Sequence, residues 1–175
     1  MNFCSNCGSS HLVFDVPEGD TRPRDICRDC GKIHYSNPRI ITGCLPLWEG
    51  KMLLCKRAIE PRCGYWNVPG GFLENGETAE AGAAREVREE ALAGVEIIGV
   101  HAIFSLPNFN QVYIHFLGKL KNGEFGVGEE SSDARLFLES EIPWPEIAFQ
   151  SSTFTLRHFL ADREKGTRQV HLGSL

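Results

Sequence analysis

The chain predicts an α/β fold, a mixed-sheet domain layered with helices and preceded by a small metal-held module. Three observations carry this. Strand-like runs lie on both sides of one helical stretch near Thr78–Gly94, and a second helical stretch follows near the end. Two Cys-x-x-Cys pairs, Cys4/Cys7 and Cys27/Cys30, stand in a first segment with too little apolar content to fold by burial. A glycine-rich loop runs directly into a glutamate-rich helix between Gly70 and Glu90.

At 175 residues the chain has room for one domain with a real core plus a small module. It contains no long uncharged apolar run, so no transmembrane helix and no membrane partner are expected. The start, MNFCSNCGSS, lacks the basic and apolar regions of a secretory signal. A cytoplasmic location follows as the expectation, and reduced thiols fit it. The formal net charge of −5, with no long basic run, argues against a general grip on nucleic acid. Arg22, Arg24, Arg28 and Lys32 nevertheless make the first segment locally basic.

Residues 1–36 form the first module. Its two cysteine knuckles are separated by nineteen residues and together offer four thiolates, the closed tetrahedral shell of a structural zinc. Gly8 and Gly31 follow each second cysteine, where a tight turn favours a residue without Cβ. Zinc would replace the core that this segment lacks. Of the seven cysteines, Cys44 and Cys55 sit in strand-like runs and read as buried small hydrophobes, and Cys63 has no evident partner.

Residues 37–175 form the second domain. Arg39–Leu45 and Lys51–Arg57 read as a hairpin around the Glu49-Gly50 turn. A Pro/Gly-rich loop spans Glu60–Gly76. Thr78 is placed as N-cap of the central helix, with Glu77 and Glu80 near its positive end and Gly94 as the C′ residue. Val95–Ser105 and Gln111–Lys121 read as strands, and Ala134–Leu138 as a short one. The last helix is expected to start at a Ser151-Ser152 cap.

On the central helix, Glu86 and Glu90 are one turn apart and Glu89 lies beside them. Such a gathering repels itself unless a cation sits there, and hard oxygen ligands suit Mg²⁺ or Mn²⁺. A solvated acidic face, locally paired with Arg85 and Arg88, is the plainer explanation of the same residues. The loop before the helix favours metal, because Gly70-Gly71 lets backbone approach a ligand closely.

The full stretch resembles the Nudix box, G-x5-E-x7-R-E-U-x-E-E-x-G-U, with U a bulky aliphatic. Gly71, Glu77, Arg85, Glu86, Val87, Glu89 and Glu90 all fall on its positions. Leu92 stands where the box has glycine, and Ala93 where it has an aliphatic. The resemblance implies the Nudix α/β/α sandwich with a mixed sheet. It implies catalytic metal on Glu86, Glu89 and Glu90, with the Gly71 region completing the shell, while Arg85 and Glu77 brace loop against helix. The implied chemistry is attack of a metal-activated water on a diphosphate phosphorus. Glu89 is one candidate base. A further acid from a later loop often binds metal or acts as base in this family, and of Glu129 and Glu130 the latter is favoured.

A zinc ribbon ahead of a Nudix domain resembles the arrangement of NADH pyrophosphatases, including Pro38-Arg39-Ile40. Their S-Q-P-W-P-F-P-x-S stretch is matched only at scattered positions by Ser105–Gln111. The chain is more similar to ribbon-bearing proteins grouped with ADP-ribose and FAD pyrophosphatases, which Pro107, Ile142-Pro143-Trp144 and Ala148-Phe149 also fit. The expected activity is therefore hydrolysis of the pyrophosphate of ADP-ribose or FAD, releasing AMP. The alternatives are NADH cleavage, RNA 5′-end hydrolysis and a non-catalytic nucleotide sensor. Trp66, Phe109 and Phe149, with Tyr65, are the aromatics available to stack on a base. His101 and His115 fall in strand patterns and are not expected to be ligands. Many dinucleotide-cleaving Nudix enzymes are dimers, so a homodimer is the expected state.

Overall fold

A computed structural model describes residues 1–175. It divides into two compact units, Met1–Pro38 and Arg39–Leu175. No helix is long and apolar enough to cross a membrane.

The first unit is a three-stranded antiparallel sheet of β1 (Leu12–Asp15), β2 (Arg24–Cys27) and β3 (Ile33–His34), in that order. Only Cys4, Pro17, Cys27 and His34 are buried in it. That is far too little apolar area to offset the entropy of ordering nearly forty residues, so the cysteine cluster must supply the cohesion.

The second unit is built on a mixed sheet. Its strands are β4 (Arg39–Trp48), β5 (Lys51–Arg57), β8 (Val95–Leu106), β9 (Gln111–Leu120), β10 (Ser131–Phe137) and β11 (His171–Ser174), in the order β10-β5-β4-β9-β8-β11. Two short strands, β6 (Trp66–Asn67) and β7 (Gly70–Phe72), pair with β5 and β4. β4 runs parallel to β9 and β11 parallel to β8, and the other pairings are antiparallel. The hairpin turn at Glu49 and Gly50 has positive φ at both residues, as a tight two-residue loop demands.

Successive strand residues point to opposite faces, and the core follows that rule. Cys44, Leu53 and Phe116 join one apolar cluster with Ala83, Val87 and Ala91 of α1 (Ala79–Ala91). Their neighbours Leu45, Leu54 and Leu117 join a second cluster with Leu156 of α2 (Gln150–Lys165). The sheet is thus sandwiched between two helices. Cys44 and Cys55 are buried, and desolvation pushes both thiols up, so they act as small hydrophobes.

Two local expectations are corrected, and three short strands are new. The left-handed residue ending α1 is Leu92 (φ 49°, ψ 31°), not Gly94. The chain turns out of the helix there towards β8, and Leu92 takes the left-handed conformation with its side chain exposed. Ser151 and Ser152 do not cap α2, which begins at Gln150 after Phe149. They are buried within it, and Ser152 Oγ donates to Asn67 Oδ1 at 2.6 Å. Strands β6, β7 and β11 have no counterpart among the predicted elements. The first two are too short to show a period, and β11 contains Gly173 in a four-residue run.

Candidate active site

The loop before α1 and the helix are locked by close backbone approach. Thr78 caps α1, its Oγ1 accepting from the Ala81 N–H at 3.2 Å. Thr42 Oγ1 on β4 donates to the Ala79 carbonyl at 2.7 Å. A Cβ on Gly71 would lie 2.6 Å from both carboxylate oxygens of Glu86, so only glycine lets that carboxylate reach the loop. Next to it, the Gly70 N–H donates to Glu90 Oε1 at 3.3 Å.

Arg85 is the hub. Its Nε and Nη2 donate to the two oxygens of Glu77 at 3.1 and 2.8 Å. Nη2 also reaches the Phe72 carbonyl at 3.1 Å. Nη1 donates to Glu86 Oε1 at 2.7 Å and Glu89 Oε2 at 2.8 Å. One guanidinium thus ties the loop, the carboxylate at its end and two helix carboxylates together. The Arg85 hydrogen bonds, with the Glu74 N–H, hold Glu77 down to about 2.

The helix carboxylates divide by environment. Glu86 and Glu90 are buried, while Glu89 is exposed. Burial pushes Glu90 up to about 8, and the charges of Glu86 and Glu130 add to that rise. Burial also raises Glu86, against the pull of Arg85 and with further push from Glu89 and Glu130. Two buried carboxylates beside two more acids form a donor set that a hard divalent cation would stabilise, so the residues fit Mg²⁺ or Mn²⁺.

Glu129 and Glu130 are both exposed and border the same cleft. Only the Glu130 charge figures among the leading influences on both Glu86 and Glu90. The loop bringing it there was not legible in the sequence. Gly126 and Gly128 N–H groups donate to the Ala91 and Glu90 carbonyls at 2.6 and 3.0 Å, closing the end of α1. A Cβ on Gly128 would overlap the Glu89 carbonyl oxygen. The one sequence signal was the Gly-x-Gly-Glu-Glu spacing of 126–130.

The cleft measures about 1180 Å³. Phe109 and Phe149 line it, Phe109 being well exposed. The Arg57 guanidinium stacks 5.1 Å from the Phe149 ring centre, a pairing the sequence did not suggest. Trp66 is a correction. It is 4% exposed and packs edge-on against Phe137 at 4.8 Å, in the α2-side core. The register of β6 turns it inward, away from any base. Tyr65 lies outside the lining and has Arg62 over its ring.

In the first unit, Cys4, Cys7, Cys27 and Cys30 have their sulfurs within 4.8 Å of one another. The Cys4–Cys30 and Cys7–Cys27 separations are each 3.6 Å. A tetrahedron with Zn–S bonds of about 2.3 Å has edges of ~3.8 Å, so the cluster fits zinc. His34 Nε2 approaches Cys4 Sγ at 3.3 Å, and the Lys32 backbone N–H, with Asn6, draws Cys30 down to about 6.

Comparison with known proteins agrees with this geometry. The NUDIX domain family matches residues 37–158, and the zinc-ribbon family described as Nudix N-terminal matches residues 2–36. A solved NUDIX hydrolase from Nitrosomonas europaea is 50% identical, with a TM-score of 0.95 over 100% of this chain and 99% of that one. An ADP-ribose pyrophosphatase of Methanocaldococcus jannaschii is 28% identical over 62% of this chain and 67% of its own length. The NAD-capped RNA hydrolase NudC of Vibrio vulnificus is 32% identical over 82% of this chain and 53% of its own length. The chain therefore spans about half the length of the NudC relatives it matches. With the box helix, the sandwich and the cysteine cluster in place, the chain belongs to the Nudix hydrolase family and carries that family's N-terminal zinc ribbon.

Proposed function

We propose that the protein hydrolyses the pyrophosphate bond of a nucleoside-diphosphate-linked small molecule, ADP-ribose or FAD first, releasing AMP. The observation that carries this is the buried pair Glu86 and Glu90, set against Gly70-Gly71 in the wall of a cleft somewhat larger than most ligand pockets. Glu86, Glu89 and Glu90 would hold the divalent cation, with Gly71 and Glu130 beside it. When bound, Mg²⁺ or Mn²⁺ would activate water and neutralise charge developing on the diphosphate. Arg85, fixed by Glu77, would keep the loop and the carboxylates in register. A carboxylate oxygen of Glu130, free at the cleft, is the proposed acceptor of the attacking water's proton, with Glu89 the other candidate. Phe149 under Arg57, and Phe109 in the same cleft, would stack on the base. Zinc on the four cysteines is assigned a structural role.

A second reading is cleavage of an NAD-linked substrate, NADH or the NAD cap of RNA. It is favoured by the NudC relatives, which match 82% of this chain. The deciding experiment incubates protein and Mg²⁺ or Mn²⁺ with ADP-ribose, FAD, NADH, NAD, an NAD-capped RNA and nucleoside triphosphates, and separates the products. AMP from ADP-ribose or FAD supports the first reading. Cleavage confined to NADH or the RNA cap supports the second. No product from any substrate refutes both. A homodimer is part of the proposal, and sedimentation equilibrium showing only monomer would remove it.

A further inference from the structure

On the α2 side of the sheet, three residues from three elements converge: His101 on β8, Asp162 on α2 and His171 on β11. One donor atom from each lies within 4.8 Å of the other two. All three side chains are enclosed. His101 is 1% exposed, and the His171 and Asp162 side chains are 10% and 8% exposed.

The protonation of His101 follows from its partner. Nε2 lies 3.2 Å from the Thr155 carbonyl, which only accepts, so Nε2 carries the proton. Nδ1 is then a bare lone pair, and it is buried with no hydrogen-bond partner. An orphaned acceptor of this kind is costly unless something occupies it. An imidazole whose other nitrogen donates to a backbone carbonyl is also how metal-bound histidines are commonly oriented.

Asp162 is held in the same manner. Its oxygens accept from the Gln169 N–H, the Thr167 hydroxyl and His171 Nε2 at 3.4, 3.4 and 2.9 Å. His158 stacks on His171 with ring centres 4.1 Å apart, and Phe154 covers His158 at 4.2 Å. The cluster has therefore two imidazoles, one carboxylate, outer partners for two of them and an aromatic cover.

We propose that His101, Asp162 and His171 form a second transition-metal site, of the zinc class, that clips α2 and β11 onto β8. Two imidazoles and a carboxylate match zinc's preference for nitrogen and oxygen donors, with water in a fourth position. Zn–N and Zn–O bonds of ~2.0–2.2 Å give ligand separations of about 3.3 Å, so the donors draw inward on binding. In the metal-free arrangement His171 donates to Asp162, and the incoming ion displaces that proton. The site would reinforce the docking of a four-residue strand that pairs with β8 only along His171–Ser174. It is independent of the glutamate cleft and of the cysteine cluster.

The test uses the full chain with its ribbon zinc, in millimolar Mg²⁺ to fill the glutamate cleft. Zinc per chain is measured by mass spectrometry after equilibration with micromolar Zn²⁺, for wild type, His171→Gln and Asp162→Asn. Two equivalents in wild type and one in each variant are expected. Equal counts in all three overturn the site. Hydrogen exchange on wild type alone guards against a variant that fails to fold. The second zinc equivalent should slow exchange at least tenfold across residues 155–174. Unchanged exchange there means that the cluster is a hydrogen-bond network only, and the proposal fails. Cobalt gives a third readout. With the ribbon zinc in place, its first equivalent should add a weak visible band without thiolate charge-transfer absorption, and a growing thiolate band instead would refute the assignment.

Discussion

Glu90→Gln separates the two contributions that this side chain makes. In the protein without divalent cation, Glu90 is buried and its carboxyl is pushed up from 4.5 to about 8. A carboxyl raised on folding contributes fully below pH 4.5 and loses that contribution as pH climbs through 8. Stability should therefore fall across the window from 4.5 to 8, by a few kcal/mol, on the order of 4. Glutamine is neutral at every pH, and its amide oxygen can still accept from the Gly70 N–H. Without divalent cation the variant should match wild type near pH 4.5 and be the more stable protein at pH 9. With Mg²⁺ the order should reverse, because wild type gains the cation and the variant binds it poorly. Turnover of the variant should drop by orders of magnitude. The assay is urea unfolding at pH 5, 7 and 9, with and without Mg²⁺, followed by tryptophan fluorescence. Trp48, Trp66 and Trp144 all lie in the second unit, so the ribbon does not contribute. Parallel pH profiles for the two proteins, or near wild-type kcat in the variant, would refute the reasoning.

Other expectations concern the frame. Gly128→Ala should force the 126–130 loop off the end of α1, costing about 1–3 kcal/mol. Because Glu130 moves with it, kcat should fall as well, and thermal melting with steady-state kinetics reads both effects. Leu92→Gly should raise stability by up to ~1 kcal/mol, since Leu92 is left-handed and 61% exposed. A lower melting temperature would mean that the packing of the Leu92 side chain outweighs the strain. Removing zinc with a strong chelator should abolish amide protection in β1–β3, because only four residues of the whole first unit are buried. Hydrogen exchange in that segment that ignores the chelator would contradict a zinc-held ribbon.

Two kinds of information meet in this protein. The sequence by itself determined what local geometry fixes. A Cys-x-x-Cys turn presents two thiols in one direction whatever surrounds it, so Cys4, Cys7, Cys27 and Cys30 could be grouped on spacing alone. Helical period put Glu86, Glu89 and Glu90 on neighbouring positions, and Thr78 announced the start of α1 by cap chemistry. Alternation and the Glu49-Gly50 turn gave the first hairpin. The tertiary structure decided what depends on segments distant in the chain. Packing against Gly70 and Gly71 buried Glu86 and Glu90 while leaving Glu89 in solvent, which separates carboxylates that look equivalent in sequence. Gly128 brought Glu130 to the helix end, and the register of β6 carried Trp66 into the core. His101, Asp162 and His171, unremarkable in three separate segments, met only because β11 pairs in parallel with β8 under α2. Short-range order follows from periodicity and steric rules that act within one turn of chain. Meetings across sixty or seventy residues follow from how the whole core packs, and no local pattern encodes them.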